Sequence, residues 1–268
     1  MKGIDISSHQ GTINWKAVKS DGVEFAIIRA GYGRSTVDKC FKRNIEEAAK
    51  AGIKVGIYWF SYAISTAEAV KEATFCLNCV KDYKLSFPIF YDFEYDTERY
   101  AKDNGVTFTA QSRTEIIKTF CDEIEKQGYE CGVYTNLDYI KNRLKYDELK
   151  KYPLWLALYN SSAEQTTYNE MMRQISSTGK VSGISGNVDM NVCYIEFKKE
   201  DKQPELVPSN NSNEVSEWAK EAVEWAVKNN ILQGNDAGDY MLKEPCTTER
   251  FITLLHRAIK TIKIDIGG

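Results

Sequence analysis

Histidine is nearly absent from this chain of 268 residues, which carries only His9 and His256. Zinc amidases and polysaccharide deacetylases need two or three imidazole ligands in one site, and two histidines at opposite ends of the chain do not supply them. A Cys–His peptidase would need a cysteine beside His9; Cys193 is the one placed to approach it, and nothing else supports the pairing. A Ser-His-Asp hydrolase lacks its Gly-x-Ser-x-Gly elbow, because Gly183-Ile184-Ser185-Gly186 is one residue short. Excess positive charge is missing too. The formal charge is −3, which argues against nucleic acid as the main partner, since phosphate binding needs a basic surface. No apolar run approaches the ~18 residues of a membrane span, and Met1–Ser7 shows no basic stretch leading into an apolar core. No membrane insertion is expected, and synthesis in a cytoplasm without a signal peptide is.

Cysteine is present, but as an odd number, seven, at irregular spacing. That fits buried free thiols better than a disulfide framework. Cys76-x-x-Cys79 lies inside an expected helix with no second pair, so no metal site is read from it. No cofactor is expected. Tyrosine and tryptophan are abundant, at 16 and 5. Flat rings of this kind stack on pyranose faces, although most aromatics in a chain of this size fill its core.

Residues 1–197 alternate short apolar runs with amphipathic stretches. The runs predict strands at 3–6, 24–30, 54–62, 87–94, 130–135, 154–159, 172–175 and 188–195. Helical periodicity falls between the early ones, at 15–21, 42–52, 66–83 and 110–128. Two of these helices end in Ala51-Gly52 and Gln127-Gly128, placed as C-caps. The order predicts an α/β barrel of mainly parallel strands, irregular where the later strands lack helices. Lys198–Asn213, charged and then rich in Pro, Ser and Asn, reads as a linker. Residues 214–268 read as a small helical module in which Trp218, Ala222, Trp225 and Ala226 share a face and Thr247 or Thr248 caps the second helix. Such a module is too small to stand alone robustly unless it packs on something.

The sharpest chemical signal is Phe87-Pro88-Ile89-Phe90-Tyr91-Asp92-Phe93-Glu94. In an extended strand, residues two apart face the same way with Cα atoms ~6.5–7 Å apart. Asp92 and Glu94 therefore project together at the C-terminal end of a buried strand, where α/β barrels place their chemistry. Two such carboxylates, partly desolvated by Phe90, Tyr91 and Phe93, do not both ionise readily, so one is kept protonated as an acid. Glycosidic cleavage needs that group to protonate the leaving oxygen. Asp5 ends the first strand, and Asp189 stands near the start or middle of the last; if these strands close the barrel, the two acids meet. An acid inside a barrel mouth costs burial free energy and usually has a job.

The ordered motifs Gly3-Ile4-Asp5-Ile6-Ser7, Asp92-x-Glu94 and Asp189-x-Asn191 resemble glycoside hydrolase family 25, the muramidases. So do Ala30-Gly31-Tyr32-Gly33, Gly56-Ile57-Tyr58-Trp59-Phe60-Ser61-Tyr62-Ala63, Gly132-Val133-Tyr134-Thr135-Asn136 and Trp155-Leu156-Ala157. The resemblance covers about residues 1–197 and implies an irregular, TIM-like α/β barrel. It implies hydrolysis of the β-1,4 bond between N-acetylmuramic acid and N-acetylglucosamine in bacterial peptidoglycan. Carried over by position, Glu94 resembles the general acid/base and Asp92 the residue that assists the substrate's acetamido group. Asp5 and Asp189 resemble the other groove carboxylates. Tyr32, Tyr58, Tyr62, Tyr134 and Trp155 are candidates to line the sugar groove. Gln174 is a further candidate contact, although Ile175-Ser176 follows it where the family commonly has an aromatic.

Residues 217–257 resemble a single S-layer-homology-like repeat, which implies binding to a wall-associated polymer. Because such repeats usually occur as three, a lone copy implies a homo-oligomer that completes the groove. A wall hydrolase made in a bacterial host cytoplasm and released to the wall would be an endolysin, with a host autolysin exported by another route as the alternative. Two alternatives stay open: a chitinase-like enzyme, since Asp-x-Glu on a barrel strand also serves chitin cleavage, and a non-catalytic wall-binding protein, against which the retention of all four acids speaks.

Overall fold

The computed structural model describes residues 1–159, 164–195, 219–233 and 248–265, together with positions 215, 240 and 242. The chain divides into two compact units, Met1–Leu206 and Val207–Gly268. The expected linker, the C-terminal Trp218 and Thr247 lie outside the described residues.

The first unit is a closed barrel. Its strands are β1 (Lys2–Ile6), β2 (Phe25–Tyr32), β4 (Lys54–Phe60), β5 (Ile89–Asp92), β6 (Cys131–Asn136), β7 (Leu154–Ala157), β8 (Met172–Gly179) and β9 (Val188–Cys193), with a two-residue β3 (Thr36–Val37) folded back on β2. Pairing is parallel from β1 through β2, β4, β5, β6 and β7 to β8, then antiparallel from β8 to β9 and from β9 back to β1. The helices α1 (Trp15–Ser20), α2 (Phe41–Lys50), α3 (Thr66–Val80), α4 (Tyr95–Asp103) and α5 (Ala110–Lys126) all precede β7. This is the expected α/β barrel with helix-poor later strands.

Local chemistry accounts for the boundaries. Ser65 and Thr109 accept from the backbone N–H three residues on and start α3 and α5. Gly52 and Gly128 take φ of 75° and 82° just past α2 and α5, a left-handed turn that glycine makes without strain. Period-two alternation then sorts the strands. Ile4, Ile6, Ala26, Ile28, Val55, Ile57 and Ile89 face the helices in one core, while Phe25, Ile27, Phe90, Trp155 and Met172 fill the barrel interior. Gly3 has no side chain because the Phe25 ring occupies the space a Cβ would need, 2.2 Å away.

Two expectations need correction. The strand predicted to run to Glu94 stops at Asp92, and a nine-residue helix, α4, starts at Tyr95 where none was expected. Glu94 caps that helix in extended conformation, φ −129° and ψ −174°, so the same-face relation with Asp92 survives the end of the strand.

Behind β4 and β5 sits Glu72 of α3, fully buried. Its carboxylate accepts from the Tyr62 backbone N–H at 2.8 Å and the Tyr91 hydroxyl at 2.6 Å. Tyr91 in turn meets Ser61 Oγ at 2.8 Å, and the Ser61 N–H donates to the Asp92 carbonyl at 2.8 Å. Burial pushes the Glu72 carboxyl up to about 7 from its ordinary 4.5, with the nearby Glu68 charge adding to the rise and the hydrogen bonds opposing it.

The second unit contains α6 (Lys220–Lys228) and α7 (Thr248–Asp265). Asn230, at φ 56°, turns the chain out of α6, and Arg257 on α7 donates to the Ile231 carbonyl at 3.2 Å. Phe251, Ile252, Leu255 and Ile259 are all exposed on α7. No helix among the described residues is long and apolar enough to cross a membrane.

Candidate active site

Polar side chains replace apolar ones at the C-terminal end of the barrel interior, roughly one per strand. Asp5 (β1) and Asp189 (β9) are direct cross-strand partners, so the first and last strands do bring these acids together. Asp5 is buried, and its Oδ2 accepts from Asn191 Nδ2 at 2.7 Å and Gln174 Nε2 at 2.9 Å. Burial, then the Asp189 charge, holds its carboxyl well above the usual range. Asp189 is less buried, and the hydrogen bond from Asp5 draws its own raised value back. Asp5, the more deeply buried of the two, is therefore the harder to ionise, while its two amide donors oppose that rise.

Asp92, at the end of β5, is also buried, and its carboxyl is pushed well up by burial and then by the Glu94 and Asp5 charges, against the pull of Arg29. Its Oδ1 has no hydrogen-bond partner among the described residues although no solvent reaches it. A buried acceptor that no protein group satisfies is uncommon and costly, and a turn of the carboxyl toward the barrel mouth would bring it a donor. Glu94 beside it is raised chiefly by burial, with the Asp96 and Asp189 charges adding to this and a hydrogen bond from Tyr134 opposing.

Tyr134 links the acids. Its hydroxyl donates to Gln174 Oε1 at 2.9 Å, where Tyr159 also donates at 2.7 Å, and it lies within reach of Glu94. One hydroxyl proton cannot serve both acceptors. When Glu94 is ionised Tyr134 can turn to it, leaving Gln174 to Tyr159; when Glu94 is protonated it can donate into the Tyr134 oxygen. Glu94 is thus solvated by a partner that accommodates either state.

Of the groove candidates, Tyr58 and Tyr134 stand inside the barrel with the acids, and Tyr58 is close enough to Asp5 and Asp92 to feel both charges. Two assignments are corrected. Trp155 does not line an open groove: it is 1% exposed, packed against Tyr58, Phe90 and Tyr134, and spends its indole N–H on Asn191 Oδ1 at 2.8 Å. Gln174, 4% exposed, directs both ends of its amide to protein groups and acts behind Asp5 rather than on a substrate. Tyr32 and Tyr62 lie outside the barrel lumen, facing each other at 6.2 Å beside α4.

Four contributors were not expected from sequence. Arg29, inside β2, grips Asp38 at 2.8 Å and sits close enough to stabilise the Asp92 charge. Asp38 also accepts from Ser8 N–H at 3.0 Å, pinning the Ser7–Gln10 turn that follows Asp5. Asn191 and Tyr159 complete the cradle around Asp5. An Arg after apolar Phe25–Ile28, in phase with the interior, was the available signal for Arg29.

A glycosyl hydrolases family 25 model matches residues 4–184, which takes in all or part of every barrel strand but the last. The chain belongs to this family. The autolytic lysozyme of Clostridium acetobutylicum is similar, at 31% identity over 71% of this chain and 55% of the relative. The modular autolysin LytC of Streptococcus pneumoniae, solved with a synthetic peptidoglycan ligand, superposes with a TM-score of 0.64 at 30% identity, over 72% of this chain and 46% of LytC. The chain thus spans about half the length of these two proteins. The CTP1L endolysin corresponds over 98% of this chain and 99% of its own, with a TM-score of 0.63 at 23% identity, a likeness of fold.

Repulsion among these acids adds to the effect of burial, and this can be tested. The Asp189 charge raises the proton affinity of Glu94. Asp189→Asn removes that charge, favours ionised Glu94 and should move the alkaline limb of the pH–activity profile to lower pH. A several-fold loss above neutral pH is expected, with a smaller change in acid. Profiles of kcat/KM on soluble glycan strands check this, and an unmoved limb would take Asp189 out of Glu94's environment.

Proposed function

We propose that this chain is a muramidase that hydrolyses the β-1,4 bond between N-acetylmuramic acid and N-acetylglucosamine in bacterial peptidoglycan. The observation that carries the reading is the open, buried Oδ1 of Asp92 beside the raised carboxyl of Glu94. With the carboxyl turned toward the mouth an acetamido N–H satisfies the first, and a glycosidic oxygen takes the proton of the second. Glu94 gives its proton to the leaving oxygen as the C1–O bond breaks, and afterwards, as carboxylate, takes one from the attacking water. Asp92 holds the acetamido group so that its carbonyl oxygen meets the cationic C1. Asp5, clamped by Gln174 and Asn191, fixes the opposite wall.

The finer reading is an endolysin, made in a bacterial host cytoplasm and acting on the wall after release. Its support is the correspondence of both units with the CTP1L endolysin fold. Residues 1–197 form the catalytic barrel, 198–213 the linker, and 214–268 a wall-binding module of S-layer-homology type. The exposed Phe251, Leu255 and Ile259, four residues apart on α7, support self-association of that module.

Clearing of a Gram-positive wall suspension, with new reducing ends on muramic acid, is the expected result. Reducing ends on N-acetylglucosamine instead, or release only from chitin oligomers, would overturn the substrate assignment. The mass of the intact chain in solution reports on association.

A further inference from the structure

Beside the barrel mouth lies a second concavity that the proposed chemistry does not use. It is a cleft of about 420 Å³ between the turn joining β2 to β3 and the length of α4. Its floor is a row of rings. Tyr62 meets Tyr32 at 6.2 Å on one side and Tyr100 at 5.0 Å on the other. Its walls carry charge of both signs: Arg34 on the turn, and Asp96, Arg99 and Asp103 on α4. The spacing 96, 99, 103 puts these three on one helical face.

Position ties the cleft to the acids. Phe60 pairs with Asp92 on one side and Tyr32 on the other, and Tyr62 follows two residues later. α4 begins immediately after Glu94. Tyr32, on the cleft floor, is therefore about two strand spacings (~10 Å) from Asp92, and the cleft runs along α4, whose seven-residue span from Asp96 to Asp103 is about 10 Å. Extended chain covers about 3.3–3.6 Å per residue, so three residues of peptide fill that length.

The charges are held loosely. Arg34 is 56% exposed in its contact with Glu68 at 3.4 Å, and Arg99 is 70% exposed in its contact with Asp96 at 3.0 Å. Glu68 is already engaged by the Ile64 N–H at 3.0 Å. Exposed pairs of this kind contribute little to stability, and both guanidiniums can turn to a carboxylate that arrives from solution.

We propose that this cleft binds the stem peptide carried by the lactyl group of muramic acid. Arg34 and Arg99 take the free carboxylates of the peptide, Asp96 or Asp103 its free amine, and the tyrosine row its apolar side chains. The inference rests on the muramidase reading and adds to it that the enzyme distinguishes peptide-bearing glycan from naked glycan.

The test uses the full chain and two soluble substrates: uncrosslinked glycan strands with their stem peptides, and the same strands stripped by an amidase. The Arg34→Ala/Arg99→Ala double variant is expected to raise KM on peptide-bearing strands about tenfold, leave kcat there unchanged, and cleave stripped strands as the parent does. Both side chains are exposed, so folding should be retained, and thermal melts verify it. Equal loss on both substrates would show that the cleft serves the sugar chain, and no change on either would show that it serves neither; each overturns the proposal. Failure of the parent chain to cut either substrate would overturn the muramidase reading itself. Binding of peptide-bearing strands to Glu94→Gln, with and without the two arginine substitutions, then judges the cleft separately, and equal affinities would overturn it.

Discussion

Glu94→Gln is expected to lower kcat on peptidoglycan by about 10²- to 10⁴-fold, the usual contribution of a positioned general acid. The substituted amide keeps the shape of the side chain and its contact with Tyr134, but it has no acidic proton to give. KM and binding to intact walls should change little, because Asp92, Asp5 and the tyrosines are untouched. The structural basis is that burial keeps Glu94 protonated beyond the usual carboxylate range, so the acid is lost and not merely misplaced. Release of reducing ends, measured beside a co-sedimentation assay with walls, separates chemistry from binding. Retention of more than a tenth of the parent rate would assign the proton transfer to another residue, with Asp92 the next candidate by position.

The second large effect is on stability. Glu72 is a buried carboxyl whose value in the folded chain, about 7, lies above the 4.5 it has when unfolded. A raised acid favours folding while it is protonated. That contribution is complete below pH 4.5 and is lost as pH rises toward and through 7. The difference of about 2.5 pH units corresponds to about 3 kcal/mol. Glu72→Gln removes the titration while keeping an acceptor for the Tyr62 N–H. Between pH 4.5 and pH 8 the parent should therefore lose about 3 kcal/mol that the variant keeps, seen as a flatter dependence of unfolding on pH. Parallel curves for the two proteins would mean that Glu72 takes up no proton on folding and is not a buried acid in the native state at all.

Most of the barrel was legible because its strands and helices differ in period, and because Gly52 and Gly128 mark two helix ends. Helix α4 was not. Its sequence, YDTERYAKD, buries only Thr97 and Ala101, too thin an apolar stripe to stand out against a charged turn. The four acids were legible for a different reason: an acid at the end of an apolar strand is unusual wherever the strand lies. Their supports were harder to find. Asn191 and Gln174 are polar residues in strands that also face solvent elsewhere, and what makes them important is an approach to Asp5 across 186 and 169 residues of chain. Trp155 was misplaced because alternation tells which face of a strand a ring occupies, but not whether that face meets an open groove or the packed barrel interior. Glu72 gave no signal, since one glutamate in an amphipathic helix reads as a solvated charge.

The clamp on Asp5 has a consequence for how the molecule comes into being. β1 leaves the ribosome before the other barrel strands, but its antiparallel neighbour β9, with Asp189 and Asn191, is among the last parts of the barrel to emerge. A nascent chain ending before β9 contains Glu94 and Asp92, but Asp5 lacks its cross-strand partner and the barrel has an open edge. At about 5–20 residues per second, roughly 10 to 40 seconds separate the synthesis of Asp5 from that of Asn191. On the muramidase reading, a truncated translation product that stops short of residue 188 should therefore be inert whatever its concentration.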